Sequence, residues 1–281
     1  MTITQEIVKI ESIAGKRIKK EKKPSITVLI PAYNEENGIA SLISRTREIL
    51  STIAENSKIL VVDDGSSDKT REILEVLEVE RFFHRKNLGK GDVIRNALQF
   101  VENEDIIVTM DGDGEHDPND MNKLVTPLLK GRANIVIGSR FLVKKSRKNE
   151  YLKRNKKEKF IKKFGNWLFT FLLWIFTRRI IKDTQSGYRA FRARNIQELN
   201  LCSSGFRIEM EMTIKAIKNG YIVREVPIKN GNPNRFSHLN AITDGARIVL
   251  TIFRECLPKW LNKPFDWVLP RIPEKIGRLL G

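Results

Sequence analysis

From Ser25 onward, short runs of aliphatic and β-branched residues alternate with stretches whose apolar positions recur at helical spacing, the pattern of a parallel α/β sheet. Residues 26–31 (ITVLIP) read as a buried strand, and 36–54 as the crossover helix that follows it. Residues 58–64 (KILVVDD) form a second strand and end in the turn Gly65-Ser66-Ser67-Asp68 before another helix. A weaker strand, 81–85 (RFFHR), precedes a glycine turn and a helix over 90–101. The fourth strand, 105–111 (DIIVTMD), runs into an acidic turn and a helix opened by Pro118, a favoured first helical position. Residues 133–140 (ANIVIGSR) close this run, and its polar residues gather at strand C-terminal ends, where open α/β sheets bind ligands.

After Phe141 the pattern breaks. Residues 142–163 are basic and poor in large apolar side chains, and are expected to form a mobile loop. A helix with Phe164, Trp167, Leu168, Phe171 and Leu172 follows, then the polar turn 183–187 (DTQSG) and a short strand, YRAF. A helix over 206–218, a strand over 221–228 and an amphipathic helix over 239–256 complete the body. The tail carries Trp260 and Trp267 among prolines 258, 264, 270 and 273, which suggests short amphipathic C-terminal interface helices. The organisation expected is a basic extension (1–23), one α/β domain (24–240) and an interface tail (241–281).

No N-terminal signal segment is apparent, because residues 1–23 lack an apolar core. No transmembrane span is expected either. The longest apolar run, Trp167 to Phe176, would rise only about 15 Å as a helix against a hydrocarbon core of ~30 Å. It could lie in a membrane interface, or it could be an ordinary core helix.

Charge sharpens this division. The 281 residues carry a net charge of +17, and residues 1–23, 144–163 and 254–281 supply +4, +9 and +3 of it. A nearly neutral body with basic appendages points to an anionic partner surface, lipid or nucleic acid. No RNA- or DNA-binding motif accompanies the basic segments, so nucleic acid is not expected as a partner. The two cysteines, Cys202 and Cys256, lack CxxC spacing, which argues against zinc or a disulfide framework and suits a reducing, cytoplasmic setting.

Chemistry concentrates in four turns. Residues 110–118 (MDGDGEHDP) place four acids at a strand end, hard oxygen donors suited to Mg²⁺ or Mn²⁺ with substrate phosphates completing the shell. A solvated acidic turn is the alternative; an EF-hand loop is excluded, since no Glu stands at its twelfth position. In 31–35 (PAYNE), Tyr33 could stack on a base and Glu35 accept from base or ribose, although taken by itself a strand-to-helix turn with a capping Asn explains it better. In 62–68 (VDDGSSD) a carboxylate could take a base N–H or a ribose hydroxyl, or the segment simply caps a helix. In 87–91 (NLGKG) a glycine turn opens a helix and suits anion approach, but it is not a Walker A loop, and taken singly a plain turn explains it better.

Taken together, PAYNE, VVDDGSSD, NLGKG, DGDGEHDP and GSR resemble the inverting glycosyltransferases of family 2, whose fold is GT-A. DTQSGYRAF, GFRIEMEM and VPI, followed by Arg235, Ser237 and His238, narrow the resemblance to the dolichyl-phosphate mannosyltransferase-like group, over about residues 25–240. The fold implied is a Rossmann-like, mostly parallel sheet flanked by helices. The resemblance implies that Pro31, Tyr33, Glu35, Val62, Asp64 and Lys90 hold the nucleotide sugar together with Asp111, Gly112, Asp113, Arg140, Arg235 and His238. Asp111, Asp113 and Glu115 would hold Mg²⁺ or Mn²⁺, with Asp113 and Glu115 the most direct ligands; Glu115 stands where the family commonly has Gln. His238 stands where a diphosphate-binding Lys is usual, and the glycine the family often shows after its Arg is missing. Asp113, Arg140, Arg189 and Glu211 would carry catalysis, and Ser186, Arg189 and Ser237 would line the acceptor cleft.

The implied reaction moves a hexose, GDP-mannose being the favoured donor, to dolichyl or polyprenyl phosphate with inversion. The alternatives are a UDP-sugar donor such as UDP-glucose, or a family-2 transferase with a non-lipid acceptor. The basic loop 142–163 would then order over the acceptor phosphate, and the protein would sit peripherally on the cytoplasmic face of an anionic membrane.

Overall fold

The computed structural model describes residues 24–101, 106–142, 156–229, 243–258 and 261. Its centre is a seven-stranded sheet in the order β3-β2-β1-β4-β6-β5-β7. The strands are β1 (Ser25–Ala32), β2 (Asn56–Asp63), β3 (Glu80–Phe83), β4 (Ile106–Thr109), β5 (Ile135–Ser139), β6 (Arg189–Arg192) and β7 (Val223–Pro227). Neighbours pair in parallel, except that β6 runs antiparallel to both β4 and β5, with Ala190 opposite Val108 on one side and Val136 on the other. Among the described residues the helices are α1 (Ile39–Ile53), α2 (Thr70–Val76), α3 (Lys90–Leu98), α4 (Met121–Leu129), α5 (Lys156–Thr177), α6 (Ala193–Gln197), α7 (Ile208–Lys218) and α8 (Thr243–Cys256).

Alternation along β1 divides the core in two. Ile26, Val28 and Ile30 pack under α1 and α4, against Ile39, Leu42, Ile43, Leu50, Met121, Leu124 and Leu128. Leu29 points to the other face, where Leu60, Val62 and Ile107 meet Val93 and Ile94 of α3, Phe169 and Leu173 of α5, and Ile248 and Ile252 of α8. Both faces are covered, which is why β1 and β4 read as continuous apolar runs rather than alternating ones. The result is the three-layer GT-A arrangement expected from the sequence.

Two boundaries differ from the expectation. Helix α5 begins at Lys156, inside the segment read as a loop over 142–163. Lys and Glu are good helix formers, and Phe160, Ile161 and Phe164 already follow helical spacing, so basic character hid a helix start. Helix α8, placed largely in the interface tail 241–281, instead buries Ile248, Thr251 and Ile252 against the body. The basic extension 1–23 and the tail beyond residue 261 lie outside the described residues. Among the described residues, no helix is long and apolar enough to cross a membrane.

Candidate active site

Three loops at the C-terminal edge of the sheet are stapled to one another. Asn34, in the left-handed region at φ 56°, donates its N–H to Ser66 Oγ at 2.9 Å, and its Oδ1 accepts the Ser67 N–H at 2.8 Å. Thr70 Oγ1 accepts the Glu35 N–H at 2.7 Å, and Asp68 Oδ2 accepts the Glu36 N–H at 3.1 Å. These bonds set Tyr33 and Glu35, both half-buried, at the mouth of β1. Pro31 contributes its carbonyl, which accepts the Gly112 N–H at 3.1 Å and joins this loop to the acidic turn.

Two residues expected at the nucleotide face inward instead. Val62 is buried within the core, because side-chain alternation on β2 points it onto the sheet face covered by α3. Asp64 is buried, and its carboxylate accepts the Leu88 N–H at 2.9 Å and the Gly89 N–H at 2.7 Å, with His84 Nδ1 2.7 Å from Oδ1. It anchors the NLGKG turn, which needs glycine because Gly89 sits at φ 94°.

That turn delivers Lys90. Its ammonium bridges Asp111 Oδ1 at 2.5 Å and Glu209 Oε1 at 2.6 Å. Burial disfavours the charged amine, but the two carboxylates outweigh it and raise the Lys90 pKa well above its ordinary value. The Asp111 carboxyl is held below the usual range: burial pushes it up, and Lys90, with Arg140, pushes it down further. Gly187 makes this packing possible, since a Cβ there would run into the Asp111 carboxylate and the Lys90 ammonium.

The acidic turn is fixed from below by His116. Its Nδ1 accepts the Asp111 N–H at 3.3 Å, and its ring stacks on Tyr188 at 5.0 Å between centroids. Burial pushes the imidazole pKa down to about 4, so His116 stays neutral. Asp113 Oδ1 accepts the Glu115 N–H at 2.9 Å. Burial, then the nearby Asp111 and Glu115 carboxylates, raise the Asp113 pKa to about 7.

Such crowding of acids is relieved by a cation, and hard oxygen donors suit Mg²⁺ or Mn²⁺. Asp113 and Glu115 fit that role. Asp111, expected as a third ligand, is instead paired with Lys90, and the three acids do not bring three ligand atoms within 4.8 Å of one another. The described cluster that does, Cys202, Glu211 and Glu255, is already neutralised by Lys215 at 2.7 Å and Arg254 at 3.8 Å from Glu211.

Arg140 closes the other side. Its Nε and Nη2 each lie 2.9 Å from the Asp183 carboxylate, and its Nη1 lies 3.9 Å from Glu115 Oε2. Burial works against its charge, but Asp183 prevails and the guanidinium pKa is raised.

On the acceptor side, three residues expected at the cleft are buried. Arg189 is buried, its guanidinium donating to Ser186 O at 2.8 Å, Thr184 O at 2.7 Å and Thr213 Oγ1 at 2.9 Å, so it ties down the DTQSG turn from within. Ser186 is likewise buried. Glu211 is fully buried and accepts the Cys202 N–H at 2.9 Å and the Ser203 N–H at 2.7 Å, beneath the loop before α7. The carboxylate that faces the site is Glu209, two residues earlier. At about 100° per residue the two glutamates lie on nearly opposite sides of the helix; Lys215, four residues after Glu211, was the available sign that Glu211 is ion-paired along its own helix. His116, Asp183 and Glu209 were not singled out from sequence. Arg235, Ser237 and His238 lie outside the described residues, which stop at Lys229, whose N–H donates to Asp120 Oδ2 at 2.6 Å just beyond the acidic turn.

Comparison with known proteins gives the family and the fold. The sequence model described as glycosyl transferase family 2 matches residues 27–199. A UDP-N-acetylglucosamine–dolichyl-phosphate N-acetylglucosaminyltransferase of Methanococcus voltae is 31% identical, over 73% of this chain and 84% of that protein. A dolichol-phosphate mannosyltransferase of Pyrococcus furiosus is 32% identical over 221 residues, 73% of this chain and 56% of that protein. Among solved structures, glucosyl-3-phosphoglycerate synthase of Mycobacterium tuberculosis, crystallised with Mn²⁺, UDP-glucose and phosphoglyceric acid, superposes with a TM-score of 0.64 at 19% identity, over 84% of this chain and 81% of that one.

Proposed function

The chain belongs to glycosyl transferase family 2, and from that premise we propose that it transfers a hexose, with GDP-mannose the favoured donor, to dolichyl or polyprenyl phosphate. The observation that carries this reading is the acidic turn Asp111–Glu115 flanked by Lys90 and Arg140 at the strand ends. Carboxylates for a metal and cations for phosphates are what departure of a nucleoside diphosphate requires. Relatives named for polyprenyl-phosphate sugar transfer support the acceptor. A UDP-sugar donor is the second reading, favoured by the N-acetylglucosaminyl relative, which nearly matches the mannosyl one in identity and is covered over more of its own length.

In this mechanism Tyr33 and Glu35 bind the nucleoside. Asp113 and Glu115 would hold Mg²⁺ or Mn²⁺, which when bound supplies positive charge to the leaving diphosphate. Arg140 Nη1, directed at the acidic turn, would meet the diphosphate there, and Lys90, desolvated between two carboxylates, would lend its charge at the opposite side. The acceptor phosphate is ionised at pH 7 and needs no strong general base. Its oxygen forms the new bond at the anomeric carbon as the bond to the diphosphate breaks, so an α-linked donor gives a β-linked product.

The setting we infer is peripheral, at the cytoplasmic face of an anionic membrane. Exposed Trp167, Phe171 and Trp174 on α5 support it, together with the basic segment 144–163. A panel of radiolabelled GDP- and UDP-sugars with polyprenyl phosphate, read as lipid-extractable counts, tests the assignment. Lipid-bound label from GDP-mannose is expected. Label that stays in the aqueous phase with every donor would reject a lipid acceptor.

A further inference from the structure

Arg140 is held from behind. Asp183 Oδ2 accepts both its Nε–H at 2.9 Å and its backbone N–H at 3.0 Å, while Oδ1 accepts Nη2–H at 2.9 Å. Asp183 is fully buried, and the turn that carries it is fastened to β7: Glu225 Oε1 accepts the Asp183 N–H and Oε2 the Lys182 N–H, both at 2.9 Å. A guanidinium is a rigid planar fork. Fixing Nε and Nη2 along one edge therefore sets the direction of Nη1, which points toward the acidic turn and stops 3.9 Å short of Glu115 Oε2.

The restraint matters because of what lies in front. Asp111, Asp113 and Glu115 together attract a nearby cation strongly, and an untethered arginine would collapse onto them, covering the carboxylates that would hold a metal. Asp183 balances that pull.

We propose that Asp183 and Glu225 are positioning residues for glycosyl transfer, holding Arg140 so that Nη1 meets the departing diphosphate rather than the acidic turn. The role rests on the donor-site reading above and acts only through Arg140. Glu225 contributes at second remove, by clamping the 182–183 turn across the gap to β7.

A double-mutant cycle in the full-length chain tests this. Asp183→Asn and Glu225→Gln are each made alone and with Arg140→Ala. Each single variant should lower kcat/KM about tenfold, mainly through kcat, and neither should lower it further in the Arg140→Ala background. Losses that multiply across the two backgrounds, or unchanged kcat/KM in both single variants, would overturn the proposal. The same cycle is read as affinity for GDP or UDP with Mn²⁺, which needs no acceptor. A failed lipid acceptor thus abolishes transfer in every protein, yet leaves the affinity cycle to decide on Asp183 and Glu225. A further readout is the Arg140 Nε–H resonance in ¹⁵N spectra. Protection from solvent exchange in the parent and its loss in both variants supports the arrangement, and retained protection in both refutes it. Should Asp183→Asn not fold, Glu225→Gln, a half-buried carboxylate, carries all three measurements.

Discussion

Asp111 and Asp113 stand two residues apart on one turn, yet their surroundings give them different work. Lys90 pairs with Asp111, whereas burial and the neighbouring Asp111 and Glu115 carboxylates push the Asp113 carboxyl up to about 7. Asp113→Asn should therefore lower Mg²⁺- or Mn²⁺-dependent turnover at least about a hundredfold while circular dichroism and melting temperature stay near the parent's; activity that survives in EDTA would remove the metal from the mechanism. Glu211 illustrates a residue whose effect is on stability. Burial pushes its carboxyl up, but Lys215 and the Ser203 and Cys202 donors pull it further down, leaving the folded pKa below the unfolded one. Its contribution is present above the usual carboxylate range and is lost as pH falls through the lowered folded value. Glu211→Gln should accordingly melt lower than the parent at pH 7, with the gap narrowing below about pH 4; a gap independent of pH would show that Glu211 is not ionised in the fold.

At the scale of elements, α5 shows two faces. Phe169 and Leu173 enter the core, while Trp167, Phe171 and Trp174 form an exposed aromatic row in which Trp167 and Phe171 stack at 5.5 Å. The core-helix reading describes the first face; the second is exposed, and the interface reading of it is a proposal. Trp167→Ser combined with Trp174→Ser should keep the fold and reduce flotation with anionic vesicles several-fold; equal flotation would assign the row to something other than lipid. Where the DTQSG turn meets the N-terminus of α3, the spacing is set by Gly187. Gly187→Ala should lower kcat/KM about tenfold with little change in melting temperature, because a Cβ there displaces the flexible ends of Asp111 and Lys90 rather than backbone. A large drop in melting temperature would instead make Gly187 a packing residue.

For the whole molecule, charge and chemistry are separated. The described body holds the site, and most of the excess positive charge lies in segments at and between its ends. Replacing five lysines of 144–163 with Gln should weaken binding to anionic vesicles and flatten its salt dependence, without altering the affinity for nucleoside diphosphate. Vesicle binding that ignores both salt and these lysines would contradict the membrane reading. The succession of strands along the chain, the crossover helices and the acidic turn were legible because buried strands and helix faces write their periodicity directly into sequence, and because turn residues such as Gly89 and Pro118 answer to local backbone geometry; the place of β6 between β4 and β5 was not. What the sequence by itself determined is the α/β class, the family and the set of loops that meet at the strand ends. Only the tertiary structure decided which acid faces the site, Glu209 rather than Glu211; that Asp64, Arg189 and Val62 are scaffold or core; and that Asp183 and Glu225 stand behind Arg140. The reason is physical: a charged residue reads the same in sequence whether its partner is a ligand or a backbone N–H forty residues away, and only packing of distant segments distinguishes the two.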